Sequence, residues 1–206
     1  MTSTESANAL PPGRQAGVCL HIASLPGPYG IGEVGAQARA FVATLRRMEL
    51  GVWQFLPIGP TAYGDSPYQP LSTFAGNEML VSIGDLIELG LLEDSEVVEL
   101  TTLPQDHVDY GALIPIKHRL LRVAASRFEA TASDDLKAEF GRFLEAVDSA
   151  WLHDYALFRI LKTRHGERPW TEWESRYVHR QPAALAELEQ AEAGEIAAIK
   201  VIQFLF

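Results

Sequence analysis

The sequence predicts an α/β protein: two βα units of a barrel-type domain followed by a mostly helical inserted subdomain. Two short, apolar, partly β-branched runs, Val18 to Ile22 and Val52 to Leu56, flank a segment of helical periodicity. Strand, helix and strand within about 40 residues form a βαβ unit, which requires parallel strands and a right-handed crossover. From Gly111 onward the periodic segments are all helical, with no strand signal between them. Such a block after two βα units points to a barrel with an extra helical subdomain and not to a simple alternating fold.

Taken in order, residues 1–16 are rich in Ser, Thr, Ala, Pro and Gly and are expected to form a disordered tail. They lack the basic start and apolar stretch of a signal peptide. Residues 17–103 hold the βα units. The loop 23–35 carries Pro26, Pro28 and four glycines. Ala38, Phe41, Val42, Leu45 and Met48 then fall on one helical face over 36–50, and Gly51 stands where a left-handed residue ends a helix. After the second strand comes a loop holding Pro57, Gly59, Pro60, Gly64 and Pro67, too much punctuation for helix or strand. Met79 to Ile83 reads as a short extended segment, and Asp85 as the cap of a brief helix through Leu89. Residues 104–206 form the helical subdomain, entered through a linker at 103–110, with helices expected at about 112–129, 134–147, 150–165 and 183–206. The Ala/Glu-rich stretch 183–198 favours helix, its charges forming a solvated face.

Asp and Glu number 27 against 17 Lys and Arg, a net charge of −10. That sign repels phosphate backbones and anionic lipid, so nucleic-acid and membrane-surface partners are not expected. No apolar stretch approaches the roughly 20 residues of a membrane span. Cys19, the one cysteine, lies in an apolar run and is expected to be a small core residue in a reducing, cytoplasmic protein.

Gly30-Ile31-Gly32-Glu33-Val34-Gly35 matches the dinucleotide pattern G-x-G-x-x-G. Seven residues, Ala23 to Tyr29, however, separate its first glycine from the strand, so the glycine is not at the turn straight off it and the reading is a tight loop needing positive φ. The six histidines show no metal-ligand spacing, and no metal or cofactor is expected. His21 alone has a telling position, near the C-terminal end of the first strand, where a parallel barrel places its site. Glycoside chemistry needs two facing carboxylates, about 5 Å apart when configuration is retained. Glu33, Asp65 and Glu78 are the candidates, yet none makes a convincing pair, and Asp65 before Ser66-Pro67 reads as a loop organiser. Tyr63 and Tyr68, with Ser66 and Gln69 beside them, leave apolar rings next to hydrogen-bonding tips. A sugar, with CH-rich faces and a hydroxyl rim, is what such a loop can hold.

Several ordered segments resemble the amylomaltases, the 4-α-glucanotransferases of glycoside hydrolase family 77. They are Ser24-Leu-Pro-Gly-Pro-Tyr-Gly-Ile-Gly32, Trp53-Gln-Phe-Leu-Pro-Ile-Gly-Pro60, Tyr63-Gly-Asp-Ser-Pro-Tyr-Gln69 and Phe74-Ala-Gly-Asn77. Asp154-Tyr-Ala-Leu-Phe158 and Pro169-Trp-Thr-Glu-Trp173 continue the likeness, which runs from about Gly17 to Phe206. The resemblance implies the N-terminal portion of a (β/α)₈ barrel in an enzyme of maltose and glycogen metabolism. Such an enzyme passes a segment of an α-1,4-glucan to the 4-hydroxyl of an acceptor by a retaining double displacement. It implies that Tyr68 stacks on the sugar beside the scissile bond, with Ser66 hydrogen-bonding nearby and Tyr63 on a neighbouring glucan surface. Ala62, and Ile22-Ala-Ser24, depart from the usual motif.

The resemblance also implies that the nucleophile, the acid/base and a stabilising carboxylate come from later barrel strands; since a full barrel takes about 250 residues, they are expected beyond Phe206. The chain then reads as a fragment inactive by itself, with Ile202, Phe204, Leu205 and Phe206 crowding an exposed apolar end. The alternative is a non-catalytic glucan-binding module; a nucleotide-dependent enzyme is disfavoured by the misplaced glycine loop.

Overall fold

The computed structural model describes residues 13–61, 64 and 66–206. Residues 1–12 of the expected tail, and Ala62, Tyr63 and Asp65, lie outside the described residues.

The strands β1 (Gly17–Cys19) and β2 (Val52–Gln54) pair in parallel, with Gly17 opposite Val52 and Cys19 opposite Gln54. Both are shorter than the apolar runs that predict them. Past Cys19 one more ladder bond forms, from Leu20 N to Gln54 O (2.9 Å), and the Trp53 indole N–H donates to Leu20 O (2.8 Å). The chain then leaves the sheet through a 3₁₀ turn at Ile22–Ser24. Cys19 is exposed, not a core residue: alternation along β1 points it away from the half-buried Val18.

Helix α1 (Ala36–Arg47) makes the crossover. Its end is set by Glu49 at φ 56, not by Gly51. Glu49 N donates to Arg46 O (3.1 Å) and Leu50 N to Leu45 O (3.0 Å), the paired bonds that close a helix around a left-handed residue. The segment expected to be extended at 79–83 instead begins with a 3₁₀ turn, Glu78–Leu80, and leads into α2 (Ile83–Glu88). Ser82, not Asp85, caps α2, its Oγ accepting from Asp85 N (3.2 Å). Asp85 instead holds Arg39 of α1 through two bonds of 2.7 and 2.9 Å.

A one-turn α3 (Val98–Thr101) precedes α4 (Tyr110–Thr131), the longest helix described, and α5 (Asp134–Val147). A π turn at Asp148–Leu152 runs into α6 (His153–Arg164). The short α7 (Ser175–Val178) comes next. The single helix expected over 183–206 is two, α8 (Pro182–Ala191) and α9 (Ala193–Leu205), divided at Glu192 (φ −118, ψ 21).

Helix α9 packs against both α4 and α6. One apolar cluster joins the 3₁₀ turn and α2 (Leu80, Ile83) to α4 (Leu113, Leu120, Phe128) and α9 (Val201). A second joins α6, α7, α8 and α9 through Ile160, Tyr177, Leu188 and Ile196. The end of the chain is not an exposed apolar patch. Ile202, Phe204, Leu205 and Phe206 are partly buried on the first cluster, and the Phe204 ring meets Phe128, Phe140 and Phe143. The glutamates expected to form a solvated face are largely paired: Glu187 with Arg176, Glu189 with His153, Glu192 with Arg164 and Glu195 with Arg122.

Candidate functional site

The Pro/Gly loop is pinned at its base and open at its tip. Thr61 and Pro70 form an antiparallel bridge, Leu71 N donates to Pro60 O (2.8 Å), and Asn77 N donates to Ile58 O (2.8 Å). At the tip Gln69 N donates to Ser66 O (3.1 Å), a turn that leaves Ser66 half-buried and Gln69 exposed. Tyr68 is 69% exposed, unusual for an aromatic ring in a braced loop. Five residues beyond the tip, Phe74 stacks on Trp151 (centroids 6.1 Å apart, planes 27° apart). Ser72 Oγ braces that corner by accepting from Phe74 N and Ala75 N. The structure therefore presents Tyr68, Ser66 and Gln69 together, while Tyr63 and Asp65 lie outside the described residues.

A cleft of about 660 Å³ separates this loop from the helices, lined by Thr61 and Leu71 on one side and Ile114, His118 and Arg159 on the other. Glu78 stands on its floor with Oε1 3.4 Å from His118 Nε2. Burial pushes the Glu78 carboxyl up, but the His118 contact and the Arg159 charge outweigh it and hold the group below the usual carboxylate range. His118 and Arg159 escape a reading of the sequence because they stand 40 and 81 positions beyond Glu78, and only helix packing brings them together.

Glu33 is not a site carboxylate. Its Oε1 meets Lys117 Nζ at 2.5 Å and its Oε2 accepts from Ile83 N (3.0 Å), deep in the core; Lys117 Nζ also donates to Met79 O (2.7 Å). Burial pushes Glu33 up and Lys117 down, against their mutual attraction. A signal for Lys117 did exist, since it shares the helical face of Leu113, Leu120 and Ala124. His21 also stands apart from the tyrosine loop. It lines a separate hollow of about 370 Å³ with Ser24 and Gln105. Its Nδ1 is buried without a partner among the described residues, and burial lowers its pKa.

The glycine pattern serves packing. Gly30 adopts φ 74 as the tight loop requires, and a Cβ there would meet the Leu103 side chain at 2.7 Å. A Cβ on Gly32 would collide with Ile22 O, and one on Gly35 with Ser82 Oγ.

With this geometry in hand, known proteins give a consistent match. The family model described as 4-alpha-glucanotransferase, glycoside hydrolase family 77, matches residues 20–206. The 4-alpha-glucanotransferase of Thermus thermophilus is 42% identical over 193 residues, which cover 94% of this chain and 38% of that protein. The chloroplastic/amyloplastic 4-alpha-glucanotransferase of Solanum tuberosum is 35% identical, over 94% of this chain and 34% of its own. Among solved structures, an amylomaltase from Streptococcus agalactiae in complex with acarbose superposes with a TM-score of 0.86 at 32% identity, over 94% of this chain and 39% of that one. The chain thus spans a little over a third of the relatives it matches. Both its sequence from Leu20 to Phe206 and its fold place it in one family: the chain belongs to the 4-alpha-glucanotransferases of glycoside hydrolase family 77.

Proposed function

We propose that this chain forms part of the glucan-binding wall of a 4-α-glucanotransferase. The enzyme moves a segment of an α-1,4-glucan onto the 4-hydroxyl of an acceptor glucan or glucose. The observation that carries this reading is Tyr68, an exposed ring on a braced loop beside an open cleft. Its face covers the CH side of a pyranose, while Ser66 and Gln69 reach the hydroxyl rim. Tyr63 belongs to a neighbouring glucan surface, Asp65 organises the same loop, and His21, in its separate hollow, is a further contact of this reading. Residues 17–103 act as the first βα units of a (β/α)₈ barrel and residues 104–206 as its helical insert. The setting is cytoplasmic; among the described residues no helix is long and apolar enough to cross a membrane.

Retaining transfer needs a carboxylate nucleophile and a second carboxyl group that is protonated at the start. Among the described residues, the carboxyl groups around the cleft do not suit the acid role. The His118 contact and the Arg159 charge hold Glu78 below the usual carboxylate range, the wrong direction for an acid, and Glu167 lies 3.5 Å from Arg159. Glu33, whose pKa is raised, is locked against Lys117 away from solvent. This supports the expectation that the reacting carboxylates come from the part of the family fold that these 206 residues do not cover.

The purified 206-residue chain incubated with maltotriose is expected to release no glucose and form no longer glucans, yet to bind maltooligosaccharides. Tyr68→Ala should weaken that binding roughly tenfold, about 1.4 kcal/mol. Turnover by the chain would overturn the placement of the carboxylates. Unchanged affinity in Tyr68→Ala would overturn the role of the ring.

A further inference from the structure

The buried residues of α9 are Ile196, Val201 and Gln203, and Gln203 alone is polar. It is 7% exposed and stands in an otherwise apolar run, Val201-Ile-Gln-Phe-Leu-Phe206. A buried amide is costly unless its oxygen and nitrogen both find partners. Here both go to one residue: Oε1 accepts from Gly76 N (2.8 Å) and Nε2 donates to Gly76 O (3.0 Å). The fit calls for this side chain. A glutamate would face the Gly76 carbonyl with a second acceptor, and an asparagine is one methylene shorter.

Gly76 is held from a second side as well. A Cβ there would run into the ring of Phe206, three residues along the chain from Gln203. The missing side chain lets the backbone lie against that ring while its N–H and C=O reach the amide.

Gly76 closes the returning arm of the tyrosine loop. The next residue, Asn77, donates its N–H to Ile58 O on the outgoing arm (2.8 Å). Its Oδ1 accepts from Met79 N (3.0 Å), capping the turn that carries Glu78. Nearer the tip, the bridge of Thr61 with Pro70 and the bond from Leu71 N to Pro60 O run from arm to arm. They fix the shape of the loop and not its direction. Direction comes from what ties the arms to the helices. Among the contacts described, the two bonds to Gln203 and the stacking of Phe74 on Trp151 make that tie. Phe74 is largely exposed, so the buried amide is the firmer hold.

The same helix supports the opposite wall. Helix α9 packs against α4 and α6, which carry Ile114, His118 and Arg159 across the cleft from Thr61 and Leu71. One element therefore holds both sides of the space beside Tyr68.

We propose that Gln203 is a positioning residue for glucan binding: by holding Gly76 it sets how far the tyrosine loop, and Tyr68 with it, stands from the wall of α4 and α6. That the occupant of the cleft is a glucan rests on the function proposed above; that Gln203 orients the loop rests on the clamp alone.

The test uses the 206-residue chain, maltotriose as ligand, and Gln203→Met, which keeps the length of the side chain and removes both bonds. Without ligand, ¹⁵N relaxation should show added motion at Tyr68, Gln69 and Leu71, with the amides of Leu120 and Ala124 unchanged. With maltotriose the Kd should rise about tenfold, as it does when a loop spends roughly a tenth of its time in the binding arrangement. Gln203→Glu, which keeps the acceptor for Gly76 N and loses the donor, should fall between Gln203→Met and the unsubstituted chain. If Gln203→Met does not fold, both readouts are taken on Gln203→Glu. In a Tyr68→Ala background, Gln203→Met should change the Kd little further, because its influence passes through the loop; a general loss of structure would add to that of Tyr68→Ala. Unchanged loop motion, or additive losses in the double variant, would overturn the inference. Weaker binding in Tyr68→Ala with none in Gln203→Met would overturn it too and leave the tyrosine-loop reading standing. A Kd untouched by Tyr68→Ala, with the loop still loosened by Gln203→Met, would overturn the glucan reading and keep the clamp.

Discussion

At the scale of single residues, a buried ion pair and an exposed ring show how differently the sequence exposes its roles. The exposure of Tyr68 is legible because a Pro/Gly loop has few reasons to hold two tyrosines. Lys117 is legible only by its register: it stands at a position where α4 otherwise places Leu and Ala, and it is 0% exposed. Such a charge is tolerated because Glu33 and the Met79 carbonyl satisfy it. Removing one partner leaves an uncompensated buried charge, which costs about 3–5 kcal/mol, whereas replacing both by neutral groups costs much less. Lys117→Met is therefore expected to lower the urea midpoint sharply, and the double variant Glu33→Gln/Lys117→Met to recover much of the loss. Equal destabilisation in the single and double variants would show that the pair contributes packing alone.

At the scale of elements, helices were legible through periodicity and their ends were not. The apolar spacing places α1, α4 and α5 to within a few residues. It misses the left-handed Glu49, because a cap there needs two backbone bonds and not a glycine. It misses the division at Glu192 and the π turn before α6, where no Pro marks the change and tertiary packing sets the backbone. It also misses Cys19, because an apolar run reads as buried on both faces, whereas among the described residues nothing covers the face of β1 that carries Cys19. Glycines give a test of element against contact. Gly141 lies mid-helix in α5, and a Cβ there meets nothing within 4 Å. Gly141→Ala is expected to stabilise the chain by about 0.5–1 kcal/mol by restricting the unfolded backbone. Gly32→Ala should destabilise it by roughly 1–3 kcal/mol, because backbone atoms of Ile22 and Leu25 occupy the space and cannot swing aside. Denaturation midpoints moving in the same direction would refute the contact argument for Gly32.

At the scale of the whole molecule, the burial is uneven, and this sets where the chain opens. Among the described residues the sheet has two three-residue strands, whose residues are exposed or only half-buried. Phe55 and Val42, close by in sequence, are exposed as well. Two strands alone are marginal in water. The helices, by contrast, share two apolar clusters through α9, with Leu113, Leu120 and Phe128 of α4 almost fully buried. Local opening follows buried contact, so the regions should separate in hydrogen exchange. Amides of Val18, Cys19 and Trp53 are expected to exchange through local fraying, at rates that denaturant hardly alters. Those at the centre of α4, around Leu120 to Ala124, should exchange only through global unfolding, with protection falling steeply as urea rises. The tyrosine loop hangs between these regimes: its strand side is loosely held, while Gln203 of α9 clamps its far end by two bonds to Gly76, 2.8 and 3.0 Å. Gln203→Ala should thus raise exchange at Gly76 and Asn77 without changing α4. Sheet amides as protected as those of α4 would mean that the β1–β2 unit is held by contacts equal to the helical core, contrary to the burial described.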